Sequence, residues 1–400
     1  MKVLYLGYAV SKKEASALYG ASVAGNLMQV NLLKNLSKYP DLMFHSITIY
    51  PVAAYPQGKL VIKKKYLKIF PGFISLKIGM INLPIMKQLM ETIVTYQEAK
   101  RIIEKEKIKV ILTFNMFPEI GLPALWLKKR YGCEIISVLA DLPIDDTLGR
   151  KGISAFLRWI MDLLTCYAIP RCDKIITLNS YAVKRFAPHC PYLVVEGGVE
   201  EEDLHCEEEA NEVMDKQETK ETKILLYSGA LSEYSGIMKL IEAMKMVDLD
   251  ISLHIYGSGQ LKEEVIQCVK ALPNVYYGGK IEPERLRQLQ RSADLLINPR
   301  PVNHPIARVT FPSKIFEYLL SGTPVLTTKL NGFTEDYLSH MYVVRENDPK
   351  LLADKINEVM SLATEERRNK GLEAKSFVLK YKTWKKQCEK IYTFIKDGTL

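Results

Sequence analysis

Short apolar runs recur along this chain, and each is followed by a stretch with helical spacing. Residues 2–8 (KVLYLGY), 109–114 (KVILTF), 133–140 (CEIISVLA) and 173–179 (DKIITLN) read as strands, and 21–39, 118–131 and 152–168 as helices. A second cycle has strands at 223–231, 251–259, 274–279, 294–300 and 324–328. Its helices fall near 235–247, before 271, at 282–292 and at 312–321. Strands that are apolar on both faces and alternate with helices imply parallel sheets covered on both sides. The expected fold class is α/β: two tandem Rossmann-like, doubly wound domains facing a cleft. The expected boundaries are 1–200 for the first domain, 201–222 for a linker and 223–375 for the second domain. Residues 376–400 read as a C-terminal helix placed to pack back on the first domain. Ligands of such sheets bind beyond the carboxyl ends of the strands.

Charge changes this picture locally. The net charge is +9, yet residues 59–109 carry twelve Lys/Arg against four Asp/Glu, while 200–221 carry eleven acids against two lysines. The acidic stretch reads as a linker or exposed excursion. In the basic stretch, KLVIKKKYLKIFPGFISLKIGM, lysines alternate with apolar residues, which suits an anionic membrane surface as well as it suits a plain solvated strand. No RNA motif or DNA-reading helix accompanies it, so nucleic acid is not an expected partner. Hydrophobic residues at 48% allow a full core. The seven cysteines are odd in number and form no Cys-x-x-Cys pair, which argues against a disulfide framework and a zinc site and for a reducing cytosol. The opening MKVLYLGYAVSKKEAS reads as a first strand rather than a signal peptide. No run reaches the length of a spanning helix.

The densest chemistry lies in NPRPVNHPIARVTFPSKIFEYLLSGTPV (298–325). Pro312 suits a first helical position and Gly322 the position past the end. Ile315, Phe316, Leu319 and Leu320 share one side of the helix; Ser313, Lys314, Glu317, Tyr318 and Ser321 share the other. Lys314 then stands in the first turn, where the helix dipole disfavours a cation. A helix start with free N–H groups, a lysine and the Ser313 hydroxyl suits a phosphate. Glu317, about 6 Å further along the axis, suits a ribose. A surface pair between Lys314 and Glu317 fits the spacing equally well. Arg300, directly after a strand, is a candidate diphosphate fork. Gly257, Ser258 and Gly259 (in YGSGQL) and Gly229 (in SGALSEYSG) mark strand-to-helix turns that can approach a ligand. Gly20 and Ser22 (in YGASVAGN) mark another on the first domain.

The run ADLLINPRPVNHPIARVTFPSKIFEYLLSGTPVL, preceded by YSGAL, HIYGSG and NVYYGGKI, resembles the C-terminal half of family 4 glycosyltransferases. These are retaining enzymes of the GT-B fold that use nucleotide sugars. The resemblance is strong over 223–362 and is a matter of layout in the N-terminal half. The Asn-Pro-Arg and Phe-Pro-Ser-Lys forms resemble members that build bacterial exopolysaccharides and capsules. The resemblance makes Glu317 the ribose-binding second glutamate of a Glu-x7-Glu motif, sets Gly257 and Gly259 against the base, and puts Ser313 and Lys314 on the diphosphate. It also implies a sugar-lining role for Asp141 in SVLADLPIDD, where Ala140 replaces the family's histidine. The pattern is broken elsewhere: the first glutamate falls at Val309, and the family's Arg and Lys after the first strand of this half fall near Ala230 and Ser235.

The implied activity is transfer of a sugar from an NDP-sugar, UDP- or GDP-linked, to a lipid-linked saccharide. Asp141, Arg300 and Lys314 are its catalytic candidates, with no cofactor and no metal. Gly229, Gly257, Ser258, Gly259, Arg300, Ser313, Lys314 and Glu317 are the donor side; Gly20, Ser22 and Asp141 are the acceptor side. The expected setting is cytoplasmic, on the inner face of the plasma membrane. Two alternatives stay open: a non-catalytic scaffold of the same fold, and a nucleotide-sugar epimerase.

Overall fold

The computed structural model describes residues 1–84, 86–143, 153–200, 222–248 and 250–397. The acidic stretch 201–221 and the carboxylates Asp145 and Asp146 lie outside these. The described chain divides into two compact units, Met1–Gly197 with Trp384–Leu400, and Gly198–Thr383.

Among the described residues, the first unit holds ten strands: β1 (Lys2–Gly7), β2 (Met43–Thr48), β3 (Val61–Ile62), β4 (Lys65–Phe70), β5 (Phe73–Lys77), β6 (Met80–Ile81), β7 (Val110–Phe114), β8 (Glu134–Leu139), β9 (Lys174–Thr177) and β10 (Tyr192–Val194). Eight form one sheet in the order β10-β9-β8-β7-β1-β2-β5-β4, and β3 pairs with β6 apart from it. All neighbours in the large sheet are parallel except β4, which runs antiparallel to β5 at the edge. The basic stretch is therefore strand-forming: Lys65, Tyr66 and Lys68 face water while Leu67 and Ile69 face the core.

The second unit holds β11 (Lys223–Ser228), β12 (Ile251–Tyr256), β13 (Val275–Gly279), β14 (Leu295–Asn298), β15 (Val325–Thr328) and β16 (Tyr342–Val344). They form one parallel sheet in the order β13-β12-β11-β14-β15-β16. This is the Rossmann order, and it reverses between β11 and β14.

The chain end differs from the expected single helix. Thr364–Tyr381 stays with the second unit, whereas Trp384–Asp397 belongs to the first, so the crossing falls at Thr383 rather than at 375. Trp384, Cys388, Ile391, Phe394 and Ile395 are buried in the first unit's core beside Leu32, Leu33 and Leu36. Tyr392 stacks on Tyr39 at 4.0 Å. Their 3–4 residue spacing is what turns this helix into a core element.

Candidate functional site

The reversal of strand order opens the carboxyl ends of β11 and β14 to a ligand, and Arg300 and Lys314 lie there. After β11 the backbone passes through Gly229 at φ 143°. After β14 come Pro299 and Arg300. The helix Lys314–Leu320 is fastened against the same end by Tyr318: the Ser228 N–H donates to its hydroxyl at 2.8 Å, and Gln290 Nε2 donates to Ser228 Oγ at 3.1 Å. Tyr318 is fully buried, although helical spacing alone puts it on the polar side. The helix also starts later than expected. Ser313 is its cap and Lys314 its first residue, because Pro312 stands outside, with its carbonyl accepting from Ile315 N at 3.0 Å. Gly322 ends it at φ 76° as expected.

Lys314 does not reach for open water. Its Nζ donates to the Ser228 carbonyl at 3.4 Å and lies 4.0 Å over the Tyr227 ring. Loss of hydration pushes its pKa well below the usual lysine value. Repulsion from Arg300 adds to this, and Glu317 pulls the other way. Arg300 is lowered as well, by burial, with its guanidinium 5.7 Å from the Tyr234 ring. The Tyr227 hydroxyl donates to the Ala230 carbonyl at 2.7 Å and is pushed up to about 12 by burial. Two half-buried cations thus stand against tyrosine rings after β11 and β14, an arrangement that an incoming dianion relieves.

The glycines answer first to one another. A Cβ on Gly257 would sit 1.8 Å from the Gly229 carbonyl oxygen, and one on Gly259 would sit 2.2 Å from that of Leu231. Gly229 N–H donates to the Tyr256 carbonyl and Leu231 N–H to that of Ser258. The turns after β11 and β12 therefore stack backbone on backbone, and the Ser258 side chain is left exposed. Ser313 and Glu317 are exposed beside Lys314. Ser235 is buried, and its hydroxyl donates to the Ser232 carbonyl at 2.6 Å. Val309 is buried too, so an apolar side chain suits that position. Tyr227, Ser228, Tyr234 and Tyr318 are not legible as site residues in the sequence. The one signal there is a tyrosine at the end of the apolar runs KILLY and LHIY.

In the first unit the carboxyl ends of β1, β7 and β8 carry an acidic group. Asn115, at φ 63°, accepts from the Ala140 and Asp141 N–H groups at 2.8 and 2.9 Å, and its Nδ2 donates to Asp141 Oδ2 at 3.2 Å. This holds Asp141 at the strand end. Its pKa is raised by desolvation, against the Asn115 hydrogen bond and the attraction of Arg158. Tyr8 donates to Glu119 Oε1 at 2.6 Å, while Glu119 Oε2 is buried without a partner. Glu91, 3.6 Å from Lys87, is pushed up to about 8 by burial. Ser22 caps the helix Val23–Leu36 through Gly25 N–H, and Asn26 and Gln29 of that helix fasten it to Val10 and Tyr8, just past β1. Gly20 (φ 93°) and Ser22 are exposed on the preceding turn, and no described hydrogen bond ties either to Asp141.

Residues 209–377 match the family of glycosyl transferases group 1. The putative teichuronic acid biosynthesis glycosyltransferase TuaH of Bacillus subtilis (strain 168) is 26% identical over 243 residues, which is 59% of this chain and 59% of that protein. The lipopolysaccharide 1,2-N-acetylglucosaminetransferase of Salmonella typhimurium is 24% identical over 189 residues, 44% of this chain and 48% of the enzyme. The chain thus spans only about half to three-fifths of these curated relatives. Sucrose-phosphate synthase from Thermosynechococcus elongatus superposes with a TM-score of 0.69 at 15% identity over 100% of this chain and 99% of its own. Anabaena HepE in complex with UDP superposes at 0.63 and 14% identity, covering 99% of each chain. The whole chain therefore has the GT-B fold, and its stretch 209–377 carries the sequence pattern of the group 1 glycosyl transferases.

Proposed function

We propose that this protein is a retaining glycosyltransferase that moves a sugar from an NDP-sugar to a lipid-linked saccharide during assembly of a bacterial surface polysaccharide. The observation that carries the donor half is the presence of Arg300 and Lys314, two half-buried cations held against Tyr234 and Tyr227, at the point where the strand order of the Rossmann sheet reverses. Fixed charge aimed at a departing diphosphate stabilises the transition state more than the ground state, because the leaving oxygen gains charge as the glycosidic bond breaks. Two such cations supply the neutralisation that a metal ion provides in other transferases, so the reading includes no metal. Ser313 donates to the same phosphates, Glu317 takes the ribose hydroxyls, and Gly229 with Gly257, Ser258 and Gly259 borders the base. A phosphate oxygen of the leaving group accepts the acceptor's proton on the face it departs from, which gives retention. Asp141, with Gly20 and Ser22 on the neighbouring turn, forms the acceptor end.

The surface-polysaccharide setting and the lipid-linked acceptor draw on the names of the two relatives, which concern teichuronic acid and lipopolysaccharide. The exposed lysines of 59–87 add to this, Lys63 and Lys65 among them. The scaffold reading draws on Val309, Ala230 and Ser235, where the pattern's charged residues are missing. Calorimetric titration of wild type and Lys314→Ala with UDP and then GDP decides between them. One nucleotide should bind the wild type, with a loss on the order of a hundredfold in the variant for removing a buried charge partner. Equal affinity in both proteins would overturn the role of Lys314, and silence toward every nucleotide would favour the scaffold. An epimerase would convert the bound NDP-sugar with no acceptor present.

A further inference from the structure

The helix Ile153–Ala168 is apolar apart from Ser154, Arg158, Asp162 and Thr165. Only part of it is covered. Thr165 and Ala168 are buried, the latter against Gly121 of the helix Pro118–Tyr131, where an added Cβ would come within 3.0 Å of the Ala168 Cβ. Phe156, Trp159, Leu163 and Tyr167 form a stripe at spacings of three and four and are 58%, 57%, 54% and 51% exposed. Phe156 and Trp159 stack at 5.9 Å, and the Arg171 guanidinium covers Tyr167 at 3.7 Å. The helix's one acid, Asp162, is held by Arg158 at 3.0 Å. Exposed apolar residues on soluble domains are normally scattered, and four large ones in one line mark a surface that meets something.

Charge says what it meets. The first unit carries 31 Lys and Arg against 16 Asp and Glu, whereas the second carries 24 against 30. All of the protein's positive excess therefore lies on the unit that bears the stripe, and Lys128, Lys129 and Arg130 end the adjoining helix. Copies of so basic a unit repel each other. Tryptophan and tyrosine beside arginine suit the level of lipid headgroups, where the ring is half immersed and the guanidinium meets phosphate. At sixteen residues the helix is about 24 Å long, and no described helix is long and apolar enough to cross a membrane.

We propose that Phe156, Trp159, Leu163 and Tyr167 form an interfacial docking face that seats the first unit on an anionic lipid bilayer. The helix is the next described element after β8, whose carboxyl end carries Asp141, so the face belongs to the same unit as the acceptor end and serves a lipid-borne saccharide. The proposal builds on the lipid-linked acceptor reading, but it stands on a surface separate from the lysines of 59–87.

The test uses the full chain in a Trp126→Phe background. Trp384 is buried, so Trp159 is then the exposed indole. Vesicles of equal phosphatidylglycerol and phosphatidylcholine with brominated acyl chains should quench and blue-shift it, and purely zwitterionic vesicles should do so weakly. Phe156→Ser/Leu163→Ser should lower vesicle partitioning about tenfold or more while leaving UDP affinity and the thermal midpoint unchanged. Partitioning unaffected by those two changes, or an indole that brominated lipid does not quench, overturns the proposal. So does a dimer in vesicle-free solution that the same variant abolishes, because the face would then join copies of the chain. Silence of the wild type toward both UDP and GDP would sink the donor reading and leave the vesicle result standing.

Discussion

At the scale of single residues, the chemistry rests on charges placed where water is scarce. Burial and the nearby Arg300 raise the cost of charging Lys314 in the ligand-free protein, and Glu317 offsets only part of it. Such an arrangement has a function when an anion arrives, since destabilised cations bind it more strongly than hydrated ones do. Spacing alone leaves open whether Lys314 is a phosphate ligand or a surface partner of Glu317. Burial against Tyr227 and the approach to Ser228 weigh toward the former. Glu91 is the mirror case in the first unit. Its folded pKa of about 8 lies above the ordinary value of 4.5, so the folded state holds a proton that the unfolded state releases between those values. Stability should therefore fall as pH rises from about 5 to 8 and level off beyond. Glu91→Gln should flatten that slope and stabilise the protein at pH 8 by a few kcal/mol, since each tenfold change in acidity is worth about 1.4 kcal/mol. Urea midpoints of both proteins at pH 5 and 8 measure it. Parallel slopes would show that Glu91 is not the group that titrates.

At the scale of elements, periodicity places β11 to β15 and the helices Ile237–Ala243, Lys262–Val269, Pro283–Ser292 and Lys314–Leu320 within a few residues, because most of these strands are apolar runs bounded by Gly or Pro, while β16 and the helix Pro349–Ser361 are not among the expected elements. The strand β2 and the helix Met86–Glu106 are not legible in this way, since their apolar positions are interrupted by polar ones that become buried only in the fold, Thr92, Thr95 and Glu98 among them. Gly229 and Gly257 read as ligand-facing, and their φ values of 143° and 142° do demand glycine. Yet the nearest atoms belong to the neighbouring turn, a contact no local pattern encodes. Gly257→Ala should accordingly cost about 3 kcal/mol or more, since strain at φ 142° adds to a collision with the Gly229 carbonyl. Thermal unfolding measures that loss, and a midpoint within a degree of wild type would contradict the stacked-turn account.

At the scale of the molecule, the chain leaves its first unit, builds the second and returns. The last helix supplies Trp384, Ile391 and Phe394 to a core that includes Leu32, Leu33 and Leu36, more than three hundred positions earlier. Phe394→Ala should cost the first unit about 3–5 kcal/mol, the range for emptying a large buried aromatic site. Its denaturation, followed by the buried Trp384, should shift to lower urea while UDP titration stays unchanged. An equal fall in nucleotide affinity would mean that the two units do not unfold separately.

The sequence by itself determined the α/β class, the tandem parallel sheets and the presence of Arg300 and Lys314 after the strand ends of the second unit, because strand periodicity, turn glycines and charge type are local properties. Tertiary structure alone decided that Tyr318 is a buried fastener, that Lys314 and Arg300 lose their water together, and that the apolar helix Ile153–Ala168 keeps one face uncovered. Each of those depends on which distant surfaces come to lie against a side chain, and hydration is lost only where they do.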